Sequence, residues 1–182
     1  MKGEVAIIMA SSSGLGLGAA IALAMEGANV VINVMDKDRL ESAKIKIEKV
    51  AMGEVICCQG DISERETAVK LVETAMENFG RLDHLVTNSG PPPCLRFEQS
   101  NDEDWYNAFD SLFMGIIRVI KEAEPHLKKS KNGNLVLVDR WPTMSVGKMD
   151  SAKIKVSTKS KNVTSFLSVL EQKIYNKIYS NI

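Results

Sequence analysis

Short apolar runs alternate along the chain with longer segments in which apolar residues recur every three or four positions. The runs have the length of β-strands, and the spaced segments have the period of amphipathic helices. Strands are predicted at residues 5–9, 30–34, 55–58, 82–86 and 135–138. Because these runs are apolar at consecutive positions, both faces of the strands are expected to be covered. The pattern predicts an α/β fold, a doubly wound parallel sheet of about five strands with helices on both faces.

The apolar spacing and the residues at segment ends also predict where the helices lie. Helices are predicted from Leu15 to Gly27, from residue 40 to about residue 53, behind Ser63, and behind Asn101 or Asp102. Ser63 is predicted to be the N-cap of its helix, as part of a capping box. A last helix is predicted at about residues 160–179, after a loop at 141–156. We therefore expect one domain over residues 1–182, with a core at 3–140 followed by the loop and the terminal helix.

Composition and charge exclude several classes of protein. Of the 182 residues, 45% are apolar and 25% are charged, which is ordinary for a globular domain. Lys+Arg and Asp+Glu both number 23, so no net charge attracts nucleic acid or an anionic membrane. The apolar stretch at residues 5–10 is shorter than the roughly 20 residues that a membrane helix needs. We expect a cytoplasmic protein that binds neither nucleic acid nor membrane.

The three cysteines are Cys57, Cys58 and Cys94. Their number is odd and their spacing is not that of metal ligands, so no metal site is predicted. We expect all three to be reduced, with at least one of the adjacent pair in the core. Reduced cysteines favour the cytoplasm.

A glycine-rich segment lies between the first predicted strand and the first predicted helix. A dinucleotide diphosphate needs backbone N–H donors at the start of a helix and glycines that allow it to approach. The alternative is that the glycines serve only a turn and close packing. The position between strand and helix favours the dinucleotide site. The candidate cofactor-binding residues in this segment are Ser11, Ser12, Ser13, Gly14, Leu15 and Gly16.

Motifs follow the first, third and fourth predicted strands, namely Met9-Ala10-Ser11-Ser12-Ser13-Gly14-Leu15-Gly16, Gly60-Asp61-Ile62 and Thr87-Asn88-Ser89-Gly90. In order and spacing they resemble the motifs of the short-chain dehydrogenase/reductase family, whose first glycine is Ala10 here. This change is expected to leave the turn intact. The resemblance implies a Rossmann-type fold, an NAD or NADP site, and hydride transfer between carbonyl and hydroxyl groups, as in 3-oxoacyl reductases or alcohol dehydrogenases. It adds to the predicted cofactor site Met35, Asp61, Ile62, Asn88, Ser89 and Gly90.

The residues after the second strand bear on the choice of dinucleotide. A carboxylate there binds the ribose 2′-hydroxyl of NAD, and a basic group accepts the 2′-phosphate of NADP. The family positions for these groups fall on Val34 and Met35. The missing carboxylate slightly favours NADP, with Lys37 as a helper. The alternative is that the charges near Lys37 only cap and solvate the second helix.

The resemblance also implies a catalytic set that this sequence lacks. In the family, a Tyr transfers the proton, a Lys four residues later lowers the Tyr pKa, a Ser orients the carbonyl and an Asn holds a water chain. These positions fall on Val156, Ser160, Arg140 and Leu112, and no Tyr-x-x-x-Lys occurs in the chain. We therefore assign no catalytic residue. The open alternatives are an oxidoreductase with an unusual proton donor, such as an Asp139–Arg140 pair, and a catalytically inactive dinucleotide-binding or scaffold protein.

The last expectation concerns length and assembly. The family usually continues past the last helix with two more strands, so the resemblance indicates a C-terminally shortened member with an uncovered sheet edge. Relatives pair the long helix and the last helix with a second subunit, which predicts a homodimer or homotetramer through these two helices. The apolar residues that are candidates for this face, or alternatively for burial within the chain, are Trp105, Phe109, Phe113, Phe166 and Leu170.

Overall fold

A computed structural model of the chain describes residues 1–90 and 97–138, without the side chain of residue 97. The strands are β1 (Val5–Ile8), β2 (Asn29–Val34), β3 (Val55–Gln59), β4 (His84–Thr87) and β5 (Asn134–Leu137). The helices are α1 (Gly14–Met25), α2 (Lys37–Glu48), α3 (Arg65–Phe79), α4 (Asp102–Phe109) and α5 (Gly115–Lys129), with a 3-10 turn at Phe97–Gln99. The predicted loop at 141–156 and helix at 160–179 lie outside the described residues.

The five strands form one parallel sheet in the order β3-β2-β1-β4-β5, which confirms the predicted doubly wound fold. The central strand β1 pairs on both sides, because Ile7 lies opposite Val31 of β2 and Leu85 of β4. From β1 the chain adds β2 and then β3 on one side of the sheet, and it then crosses back to add β4 and β5 on the other side. A crevice therefore opens between the carboxyl ends of β1 and β4, where open parallel sheets bind their ligands.

The sheet has a core on each face, because successive strand residues point to opposite sides. Ile8 packs with Leu23 of α1 and Ile47 of α2, while Ile7 packs with Leu71 of α3 and Val119 of α5. Ile7 and Ile8 are both fully buried, which agrees with the prediction that the apolar runs are covered on both faces. Within the described residues, no helix combines the length and the apolar character that crossing a bilayer requires.

Two predicted helix features were wrong. The N-cap of α3 is Glu64 rather than Ser63, because the N–H and hydroxyl of Ser63 both donate to Asp61 Oδ1, at 2.9 and 2.8 Å. The predicted long helix is also interrupted by a π turn at Asp110–Met114, which separates α4 from α5. The expected cap at Asn101 is confirmed, since its side chain forms a reciprocal capping box with Asp104.

The cysteines of β3 are free thiols, as expected for the reduced state. Cys58 is buried and Cys57 is half-buried. Burial raises the pKa of both thiols, so both are protonated at neutral pH. Cys94 lies outside the described residues.

Candidate functional site

The glycine-rich segment joins the carboxyl end of β1 to the start of α1. Ser13 is the N-cap of α1, with extended backbone (φ −158°, ψ 174°), and its side chain makes no capping hydrogen bond. The first N–H groups of a helix have no partner within the helix. Among the described residues no side chain caps them, so these amides remain available to an anion such as a diphosphate.

Close packing holds this segment against the sheet. A Cβ atom on Gly16 would collide with the carbonyl oxygen of Ala10 and would lie 3.0 Å from Asn88 Nδ2. Ala10 itself has a φ of +47°, a left-handed conformation that costs a non-glycine residue about 1–2 kcal/mol. The turn therefore keeps the glycine-type geometry although alanine occupies it.

Ser11 differs from the other residues of the segment. Its N–H donates to the Asn33 carbonyl at 3.2 Å, and its hydroxyl accepts from the Asn33 N–H at 3.1 Å. The hydroxyl also donates to the carbonyl of Ile8 at 3.1 Å. Ser11 is fully buried, so its polar groups join β1 to β2 and are not available to a ligand. The backbone N–H groups that remain available to a diphosphate therefore begin at Ser12 and not at Ser11.

Asn33 is a site residue that the sequence reasoning missed. This buried side chain donates to the carbonyls of Cys58 at 3.0 Å and Gly60 at 3.1 Å. Together with its backbone contacts to Ser11, it fixes the ends of three neighbouring strands. The sequence signal that could have identified Asn33 is its position as a polar residue inside the apolar run at residues 30–34.

The motif after β4 reaches the glycine-rich segment across the crevice. Asn88 Nδ2 donates to the Ala10 carbonyl at 3.4 Å, and Ser89 is buried beside it while Gly90 is exposed. The Oγ1 of Thr87 donates to the Val136 carbonyl at 3.4 Å, which ties the end of β4 to β5. The structure thus brings together two motifs that lie more than 70 residues apart.

The motif after β3 presents a carboxylate at the same edge of the sheet. Asp61 Oδ1 accepts two hydrogen bonds from Ser63, whereas Oδ2 accepts none from the residues that the structure describes. Both Asp61 and Ile62 are half-buried. Asp61 therefore has one oriented oxygen available as an acceptor.

A cavity of about 430 Å³ lies between the glycine-rich segment and α2. Its lining residues are Ser12, Ser13, Asp38, Arg39, Ser42 and Lys46. Residues 39, 42 and 46 have the i, i+3, i+7 spacing that places side chains on one face of a helix. Neither Met35, which is 63% exposed, nor Lys37 lines this cavity. The sequence reasoning placed Arg39 among the charges near Lys37 without a separate role and missed Lys46, although their helical spacing was visible.

The catalytic positions implied by the resemblance are only partly described. Leu112 lies in the π turn and is buried. Its hydrocarbon side chain offers no donor or acceptor for a water chain. Arg140, Val156 and Ser160 lie outside the described residues.

The comparisons with known proteins agree with this geometry. The profile of the short chain dehydrogenase family matches residues 4–175. The chain belongs to this family. One curated relative of this chain is the 11-beta-hydroxysteroid dehydrogenase-like 2 protein of Arabidopsis thaliana, 34% identical over 139 residues. The match covers 76% of this chain and 45% of the relative.

Two further similarities are informative. An uncharacterized oxidoreductase of Methylorubrum extorquens is 35% identical over 127 residues, which are 70% of this chain and 51% of that protein. The crystal structure of L-sorbose reductase from Gluconobacter frateurii, complexed with NADPH and L-sorbose, superposes with a TM-score of 0.70 and 29% identity. It covers 75% of this chain and 52% of the reductase. The chain thus spans about half the length of the relatives it matches.

Proposed function

We propose that this chain binds NADP or NAD in the crevice between β1 and β4, as the dinucleotide-binding part of a short-chain dehydrogenase/reductase. The observation that carries the proposal is the open start of α1, held against the sheet by the contact between Gly16 and Ala10. That start lies at the carboxyl edge of a parallel sheet where the winding direction reverses. Such a position supplies both the amide donors and the space that a diphosphate needs.

Each motif has a separate role in this proposal. The amides of residues 12–16 hold the diphosphate, with Ser11 fixing the loop from below. Asp61 and Ile62 contact the adenine, and Met35 lies beside the adenosine ribose. Asn88, Ser89 and Gly90 border the ribose on the nicotinamide side. These roles follow from the family's motifs applied to the positions described above.

The cavity beside α2 supports a preference for NADP. Two cations, Arg39 and Lys46, and one carboxylate, Asp38, line it together with three hydroxyl groups. Arginine forms paired hydrogen bonds with phosphate oxygens, and lysine adds a further positive charge. A 2′-phosphate beside Ser12 would face both cations. In this proposal Arg39 and Lys46, and not Lys37, accept the 2′-phosphate of NADP.

Titration calorimetry with NADP and NAD tests the proposal. We expect NADP to bind about fivefold to tenfold more tightly, because exposed charge pairs contribute about 0.2–1 kcal/mol each. In the double variant R39A/K46A the two affinities should come within about twofold of each other. Lys37→Ala is the matched control and should leave the ratio unchanged. Absence of binding to both dinucleotides would refute the proposed function.

A second candidate is turnover as a carbonyl or alcohol oxidoreductase, which the family membership favours. The chain has no Tyr-x-x-x-Lys, so we do not expect the family's usual proton transfer within these residues. Loss of NADPH absorbance with a panel of ketones and aldehydes distinguishes the two. Binding without turnover indicates a binding module, and turnover identifies an oxidoreductase with a different proton donor.

We also propose that the chain forms a homodimer or homotetramer through the helices around the π turn. The exposed aromatic residues there are Trp105, Tyr106, Phe109 and Phe113, with exposed fractions of 40%, 73%, 55% and 46%. The rings of Phe109 and Phe113 stack with centroids 5.2 Å apart. Contiguous exposed aromatic surface is typical of protein–protein contacts. The other residues that the structure describes therefore do not bury the described part of the predicted face.

A charge placed on this aromatic surface tests the assembly. Phe113→Asp should convert the oligomer to monomer, because an unpaired carboxylate cannot be buried cheaply at an interface. Ile45→Asp is a control, since Ile45 is 55% exposed on α2. Sedimentation velocity measures the masses. Identical masses for the wild type and the Phe113 variant would contradict the proposal.

A further inference from the structure

A chain of hydrogen bonds connects α5 to the loop that follows β3. Arg118 Nη1 donates to the Ser63 carbonyl at 2.6 Å, and Ser63 Oγ donates to Asp61 Oδ1 at 2.8 Å. The other end of the guanidinium is held by Asp110, with Nη2 to Oδ1 at 2.6 Å and Nη1 to Oδ2 at 3.0 Å. One side chain of α5 thus lies two hydrogen bonds away from the Asp61 carboxylate.

The π turn explains how Asp110 and Arg118 meet. Residues eight apart on a regular α-helix are offset by about 80° around the axis. A π turn adds about one residue to a turn, so two turns hold about eight residues and these two side chains lie on the same side. The Arg118 guanidinium holds the pKa of Asp110 below its usual value, so the carboxylate is ionised at neutral pH. The pairing fixes the direction in which Arg118 donates.

Backbone packing against α5 also holds the loop that follows β3. A Cβ atom on Gly115 would lie 2.6 Å from the carbonyl oxygen of Ile62, so α5 rests directly on the loop. The contact leaves Arg118, one turn further along α5, within reach of Ser63. The loop between β3 and α3 is therefore anchored by both backbone contact and side-chain hydrogen bonds.

We propose that Ser63 and Arg118 are positioning residues that orient Asp61 to accept a hydrogen bond from the adenine amino group. This inference rests on the proposed dinucleotide site and deepens it. Ser63 occupies Oδ1 with two donors, so the carboxylate cannot rotate freely, and Oδ2 is presented to the ligand. Arg118 holds Ser63 in place through its carbonyl. Neither residue contacts the cofactor.

The test compares two ligands that differ only at the base. The first is NADP or NAD, whichever the wild type binds more tightly, and the second is its nicotinamide hypoxanthine counterpart. Hypoxanthine carries an oxygen where adenine carries the amino donor, so this position accepts and cannot donate to Asp61, and the N–H of hypoxanthine lies at the neighbouring ring position N1. We expect the wild type to prefer adenine about tenfold, because a hydrogen bond to a charged group is among the stronger ones. Ser63→Ala and Arg118→Met should each reduce this preference about fivefold, mainly by weakening the adenine ligand.

Matched variants separate positioning from general destabilisation. Ser63→Thr keeps the hydroxyl and should keep the wild-type preference. Arg118→Lys can still donate to the Ser63 carbonyl and should recover part of it. If Arg118→Met does not fold, as judged by thermal melting, Ser63→Ala decides the matter.

The possible failures are distinguishable. If the wild type binds neither dinucleotide, the proposed function fails and this inference fails with it. If the wild type binds, but the variants weaken both ligands equally or leave the adenine preference unchanged, only the positioning role is overturned.

Discussion

The Gly16→Ala variant is expected to bind NADP and NAD about tenfold to a hundredfold more weakly than the wild type. The added Cβ atom collides with the backbone carbonyl of Ala10, which cannot move aside as a flexible side chain would. The start of α1 must then shift away from β1, and the amides that face the diphosphate shift with it. Overpacking of this kind costs about 1–3 kcal/mol. Calorimetric titration measures the affinities, and urea denaturation measures the loss of stability.

Gly133→Ala is the control for this experiment. A Cβ atom on Gly133 collides with the Leu127 carbonyl, again a backbone atom, but at the opposite edge of the sheet, just before β5. It should destabilise the fold to a similar degree while the folded protein keeps its affinity. Wild-type affinity in Gly16→Ala would contradict the role given to the helix start, as would equal losses in the two variants.

The Asp83→Asn variant is expected to lower the free energy of unfolding by about 2–4 kcal/mol at neutral pH. The Asp83 side chain is only 1% exposed. Its Oδ2 accepts from the Val5 N–H at 2.9 Å and from Arg81 Nε at 2.8 Å. Its Oδ1 accepts from Arg81 Nη2 at 2.8 Å and from Ser130 Oγ at 2.5 Å. The side-chain amide of the variant carries no charge. Its NH2 group would face one of these donors and could not accept the hydrogen bond.

The same carboxylate makes the loss dependent on pH. Burial alone would raise the pKa of Asp83, but the hydrogen bonds from Arg81, Ser130 and the Val5 N–H outweigh it and hold the pKa below its usual value. A lowered pKa contributes stability above the unfolded value of about 3.9, and this stability is lost as the pH falls through the folded pKa. The gap between wild type and Asp83→Asn should therefore narrow between pH 7 and pH values below about 4.

Urea denaturation at the two ends of this pH range checks the expectation. Glu124→Gln is a suitable control, because this substitution also removes one carboxylate charge. Glu124 forms an exposed i,i+4 pair with Lys128. Such a pair contributes at most about 1 kcal/mol. A gap that is equally wide at both pH values would show that the charge of Asp83 is not what stabilises this edge of the sheet.

Much of the fold followed from local pattern. The apolar runs have strand length and the spaced segments have helical period, so each element carried its own signal. The glycine-rich segment was also predictable, because its chemistry depends on a strand, a turn and a helix start that are adjacent in sequence.

Other features depended on contacts between distant residues. Ser63 has the sequence of a helix cap, but its bond to Asp61 moves the cap to Glu64. Asn33 and Arg118 look like ordinary polar residues until the sheet and α5 place them beside the ends of β3. Ser11 has the sequence of a ligand donor, and only the pairing with β2 shows that its donors are already used.

The sequence by itself determined the order of strands and helices, the parallel sheet that they form and the segment where a diphosphate is expected. Hydrophobic period, turn residues and helix starts depend on neighbours a few positions away, so a linear pattern contains them. The tertiary structure alone decided which polar groups remain available, which side chains of α2 line the cavity beside the glycine-rich segment, and which side chain of α5 reaches the loop after β3. Those outcomes depend on hydrogen bonds between residues 20 to 80 positions apart, for which partners are chosen only when the elements pack.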